Sequence, residues 1–200
     1  MEYIENKIFY HIQTNATWRD MPKLKEGDIF ETGVEFNPFY QILYSSDFFQ
    51  NAIKLSKEYK HLIETNQAFN TNKDTLGYVF TGTEHLLKSM REEIFERIRS
   101  DKFSELPSRQ KCLWVIPEGN VENLDYWRKV FSKDGGDLLK LSLTGKIHTT
   151  NEEFVSLNLF NGSVKNIEES AYKYWNGEKG KSQEETLFEG KAIVVNVLEL

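Results

Sequence analysis

Ser182-Gln183-Glu184-Glu185-Thr186-Leu187-Phe188-Glu189-Gly190 runs straight into Lys191-Ala192-Ile193-Val194-Val195-Asn196-Val197. Two apolar, β-prone stretches meet at a glycine, and they predict two closing strands joined by a turn. Strands usually open on apolar or β-branched residues, so the carboxylates of Glu184 and Glu185 at the strand mouth need a reason. Either they are charged gatekeepers at the head of an edge strand, or one of them is a fixed acceptor in a cleft.

Working outward, residues 7–13 and 24–30 read as strands, with turns at Gly27-Asp28 and Gly33 and a break at Asn37-Pro38. Residues 47–104 change character. Phe48, Phe49, Ile53, Leu55, Leu62 and Ile63 recur at helical spacing, as do Leu86, Leu87, Met90, Ile94 and Ile98. They predict two amphipathic helices joined through the polar stretch 65–74, an insertion at about 41–104 packed on the sheet. Arg91, Glu92, Glu93, Glu96, Arg97 and Arg99 read as its charged, solvated face, with Glu93 and Arg97 in the favourable i,i+4 order. From Leu106-Pro107-Ser108-Arg109 onward the pattern returns to β. Strands are expected at 112–116 and 137–143, helices at 120–131 and 167–175, and a loop at 176–182. Strands at both ends and helices in the middle make the fold class α+β, in a single domain over residues 1–200.

Composition narrows the function classes. A net charge of −6 argues against a strongly basic nucleic-acid footprint. The single cysteine, Cys112, sits in an apolar run and offers no disulfide framework, which suits a buried structural thiol. No basic start with an apolar core opens the sequence, and no apolar run reaches membrane-spanning length, so the expectation is a soluble cytoplasmic protein with no membrane partner. His11, His61, His85 and His148 form no metal-ligand spacing with one another or with Cys112, and no metal site is expected. Phosphate-cradling glycine loops and a G-x-S-x-G elbow are absent from the sequence. His11 stands out as a polar residue within an apolar strand, with the Thr14 hydroxyl three residues on.

These residues resemble the ADP-ribosyltransferase superfamily, closest to the small bacterial branch of rifampicin-modifying enzymes. Tyr10-His11-x-x-Thr14 followed by Leu24-x-x-Gly27-Asp28 looks like its first strand and turn. Ser108-Arg109-x-x-Cys112-Leu113-Trp114, with Tyr126-Trp127 on the next helix, looks like its second strand–helix unit. Gln183-x-Glu185 is similar to its third motif. The chain also resembles a family of uncharacterised bacterial proteins of about this length, marked by Pro-Ser-Arg after a helical region.

The resemblance implies a split β-sheet sandwich with a helical insertion, and transfer of ADP-ribose from NAD to a protein or nucleic-acid acceptor. It implies Glu185 and His11 as catalytic residues. Thr14, Trp114, Tyr126 and Arg109, together with His11, would contact NAD, with Arg109 on the pyrophosphate and Gln183 orienting the acceptor. Trp114, Tyr126 or Trp127 would cover the nicotinamide, and Glu152 or Glu153 is a rival to Glu185 for the acid. An antitoxin or inhibitor is a possible partner of such a toxin-like enzyme. NAD hydrolysis, or NAD binding without turnover, are the alternatives.

Overall fold

The computed structural model describes residues 1–15, 22–43, 73–156 and 163–200, with single positions between 54 and 65. The chain is α+β. Strands β1 (Glu2–Thr14), β2 (Ile29–Thr32), β3 (Leu113–Pro117), β4 (Gly136–Asn151) and β5 (Glu184–Glu199) form one antiparallel sheet. The described helices are α1 (Pro38–Leu43), α2 (Lys73–Lys102), α3 (Val121–Phe131) and α4 (Val164–Trp175), with a 3₁₀ turn at Glu152–Val155. The strand order is β2-β5-β3-β1-β4, and β4 also pairs with β5, so β1, β4, β5 and β3 close on themselves.

The closing stretch is one strand and not two. Gly190 sits where β5 crosses β4 opposite Gly145. A Cβ on Gly190 would lie 2.4 Å from the Thr144 carbonyl oxygen, and one on Gly145 would lie 2.2 Å from that of Glu189. The glycines therefore serve close backbone approach and not a reversal. β4 likewise runs on past the expected 137–143 through His148–Thr150, because each of these residues pairs with β5. Residues 25–28 leave the expected second strand: the Lys25 N–H donates to Asp28 Oδ2 and the Asp28 N–H donates to the Lys25 carbonyl, a side-chain-locked turn. The first of the two insertion helices falls largely outside the described residues.

Period two sorts the strands into two faces. Phe9, Val115, Leu139, Leu141, Leu143 and Phe188 form one cluster, with Val115 on the inner face of β3. On the opposite face of β3, Trp114 packs against a second cluster in which Leu187 meets α2 and α4 through Phe95, Ile98 and Tyr174. Further along that face, Ile116, Ile12 and Leu138 meet α3 through Leu124, Trp127 and Phe131.

The charged face expected on α2 is turned inward at its centre: Glu92 is 1% and Arg91 6% exposed. Glu93 accepts from Gln110 Nε2, and Arg97 pairs with Glu168, in place of the Glu93–Arg97 pair. Glu92 and Glu96, one turn apart, share a stripe beside Phe95 and face the segment that follows the helix. Among the described residues no helix is long and apolar enough to cross a membrane.

Candidate functional site

β1 and β3 pair at Phe9–Pro117 and Tyr10–Ile116 and then part. A cavity of about 200 Å³ lies in the split. β1 contributes His11, Ile12 and Thr14 to its lining, and β3 contributes Trp114, Val115 and Ile116. α3 closes one side with Trp127 and Phe131, and Glu184, Glu185 and Thr186 of β5 close another. Ligand pockets for drug-sized molecules run from ~300 Å³ upward, so this one is smaller than a drug-sized molecule needs.

Strand divergence leaves backbone groups without ladder partners, and these need other partners. His11 meets one of them: its Nδ1–H donates to the Trp114 carbonyl at 2.9 Å. That bond fixes the ring and, in the neutral imidazole, makes Nε2 the acceptor. Trp114 is held from several sides. Its ring stands edge-on to Phe39 at 6.3 Å, and the Arg109 guanidinium lies 5.7 Å from its centroid.

Glu185 occupies the outer face of β5 with Leu187 and Glu189, as the two-residue period requires. Its Oε1 accepts from both Arg109 Nη1 and the Tyr174 hydroxyl. Oε2 accepts no bond from any described residue, and Glu185 lines the cavity. Arg109 is buried. Its Nε and Nη2 form a fork on Glu92 at 2.9 and 3.2 Å, and Glu92 is bonded in turn by Arg91. Burial alone would push the Glu92 carboxyl up, but Arg109 and Arg91 outweigh it and hold the group down at about 2. Burial likewise works against the Arg109 charge, yet Glu185 and Glu92 raise its pKa well above the usual range. The Tyr174 phenol is pushed up by burial, with Arg109 opposing.

The next residues of both elements repeat the pattern. Glu189 Oε1 accepts from the Ser108 N–H at 2.7 Å, and the Ser108 hydroxyl donates to Glu96 at 2.9 Å. Burial raises the Glu189 carboxyl pKa, which the Ser108 N–H partly offsets. Leu106-Pro107-Ser108-Arg109 is thus clipped between two carboxylates of α2 and two of β5.

The remaining expected residues fall in different places. Thr14 lines the cavity at the end of β1. Arg109, read as a pyrophosphate partner, instead has its guanidinium on Glu92, Glu185 and Tyr174 within the core. Tyr126 donates its hydroxyl to Glu152 at 2.9 Å, and that bond raises its pKa. The α3 wall of the cavity is therefore Trp127 and Phe131. Glu152 also accepts from the Ser182 hydroxyl, so this rival acid ties α3 to the loop before β5. Glu153 accepts from the Lys181 N–H in the same strap. Gln183 is half-buried just before β5, and its carbonyl accepts from the Glu152 N–H at 3.0 Å. Cys112 is buried, and burial pushes its thiol pKa well up, away from reactivity.

Tyr174 and Glu92 are the site residues that sequence reasoning missed. Glu92 looked like one of several solvated helix charges, and Tyr174 like one aromatic on a short amphipathic helix. Only the inward i,i+4 partner of Glu92, Glu96, could have hinted at a buried stripe. Among the described residues no cluster of His, Cys, Asp and Glu could hold a metal ion.

No curated protein matches the chain. A family model does match, over residues 9–200, and the chain belongs to that family, described as "Protein of unknown function (DUF2441)".

Proposed function

We propose that the chain is an NAD-dependent mono-ADP-ribosyltransferase. The supporting observation is convergence: His11, Thr14, Trp114 and Glu185, from three separated motifs, line one cavity at the split between β1 and β3. The split-sheet sandwich of the ADP-ribosyltransferases is part of this proposal, and antiparallel pairing with a parting strand pair is compatible with it. A nicotinamide-sized ring would lie against Trp114, whose face attracts a cationic ring. The bond broken joins the nicotinamide nitrogen to the ribose. Its electron pair leaves with neutral nicotinamide, and the sugar develops oxocarbenium character. The Glu185 carboxylate would stabilise that charge, and at about 4 Å and an effective dielectric near 20 such a pair is worth about 4 kcal/mol before desolvation. Arg109 is shared between two carboxylates, so it does not cancel Glu185 alone. His11 would hold a ribose hydroxyl, and the acceptor nucleophile would take the sugar carbon and release a proton.

Nicotinamide release from NAD, measured for wild type and Glu185→Gln with and without lysate, tests this reading. A loss of about 10²–10³ in rate is expected for removing one such group. Full turnover by Glu185→Gln would sink it. Release without any labelled acceptor would make the protein an NAD glycohydrolase.

A second reading draws on how Glu185 is held by Arg109 and Tyr174. A carboxylate held by an arginine and a tyrosine is also what a binding pocket without turnover would contain. Quenching of tryptophan fluorescence by NAD, with no nicotinamide released, would favour it.

A further inference from the structure

We infer that Arg109 and Tyr174 are positioning residues that grip the Glu185 carboxylate by Oε1 and present Oε2 to the cavity, with Glu92 setting the plane of Arg109. This deepens the reading of Glu185 as the working carboxylate and rests on it.

The geometry is that of a one-sided clamp. A glutamate side chain has several soft torsions, and one hydrogen bond leaves it free to swing. Two donors on the same oxygen do not. Arg109 cannot drift either, because Glu92 takes Nε and Nη2 in a fork and leaves Nη1 for Glu185 and Tyr174. Glu92 is anchored by Arg91, which also donates to the Val155 carbonyl. The clamp therefore draws on α2, the 106–109 segment, β5 and α4 at once. The same guanidinium lies 5.7 Å from the Trp114 centroid, so one group sets both the cavity's ring and its carboxylate.

Stability is a poor explanation for these four buried charges. Apolar side chains of similar volume often hold such a place as well or better. The Tyr174 hydroxyl is equally uncalled for by packing. The ring is fully buried against Phe95 and Trp175, which a phenylalanine would satisfy. What the hydroxyl adds is a bond donated to Glu185 and one accepted from Arg109 Nη1.

Tyr174→Phe keeps the ring and removes both bonds, and two measurements read the result. The first needs no turnover: carbon NMR of protein labelled at the glutamate carboxyls, with the Glu185 resonance assigned by its loss in Glu185→Gln. Tyr174→Phe is expected to shift and broaden that resonance while leaving the Glu96 and Glu189 resonances in place. An unmoved Glu185 resonance overturns the proposal. The second is the kcat and KM split for nicotinamide release. Tyr174→Phe is expected to lower kcat about tenfold with KM within about twofold, and to add nothing further in a Glu185→Gln background. Unchanged kcat in an active protein also overturns it. If wild type releases no nicotinamide while the resonance moves, the clamp stands and the transferase reading fails.

Discussion

Helices α2 and α3 pack on the same face of β3, yet only α2 is attached through buried charges. α3 lays Leu124, Trp127 and Phe131 over Ile12, Ile116 and Leu138, an apolar contact with the cavity at its edge, trimmed by neutral bonds from Asn123 Nδ2 and Trp127 Nε1 to the Glu184 carbonyl. α2 combines its apolar stripe with Glu92 and Glu96, which reach Arg109 and Ser108 and through them β5. The apolar seam is non-directional: it sums area, and losing one side chain weakens it in proportion. The ionic seam is directional and fails as a unit, because each group is tolerable inside only while its partners are present. A wall that shapes a cavity can be built the first way, whereas a carboxylate that must point somewhere needs the second.

The largest break expected in this contrast comes from Arg109→Met. It leaves Glu185 buried without a cation and Glu92 with Arg91 alone, and should cost about 3–5 kcal/mol in urea unfolding. A cost below ~1 kcal/mol would show the ionic seam to be no different from the apolar one.

Acid should reveal the same seam without a mutation. Glu92 ordinarily titrates at 4.5 and is held at about 2 in the fold. A depressed carboxyl contributes its stability above the ordinary value and loses it as pH falls toward the folded one. Unfolding free energy should therefore drop by about 3 kcal/mol between pH ~4.5 and ~2 on account of this group. Glu92→Gln should flatten that part of the profile. An unchanged slope in the variant would mean that Glu92 does not carry it.

On the apolar side, Trp127→Ala removes a half-buried ring, with its Nε1 bond to the Glu184 carbonyl, and should cost about 1–2 kcal/mol. It should also widen the cavity while Arg109 and Tyr174 keep the Glu185 carboxyl in place. Loss of the Glu185 carboxyl resonance position in this variant would blur the division between the seams. The smallest effect belongs to Arg97→Ala. Its pair with Glu168 links α2 to α4 with side chains 63% and 38% exposed, so the change should stay within about 0.5 kcal/mol.

Much of this was readable in the sequence because it is local. Apolar, β-prone runs marked β1, β3 and the first half of β4, helical spacing marked α2, and the helix expected from Asn120 is α3, where the Asn120 side chain accepts from the Asn123 N–H. The resemblance named His11, Thr14, Trp114 and Glu185, which line one cavity, and the α+β class followed from strands at both ends.

What the tertiary structure alone decided depends on partners far apart in sequence. Gly190 read as a turn because no local pattern separates a reversing glycine from one at a crossing; only Gly145 in the neighbouring strand makes that distinction. Glu92 read as solvated because a carboxylate at helical spacing looks the same whether it faces water or an arginine seventeen residues on. Arg109 could have bound phosphate by its chemistry, and it is the burial of two glutamates beside it that fixes its role. Periodicity reports which face a side chain takes, but the energy of a buried charge is set by what is waiting there, and that is known only when the chain has closed.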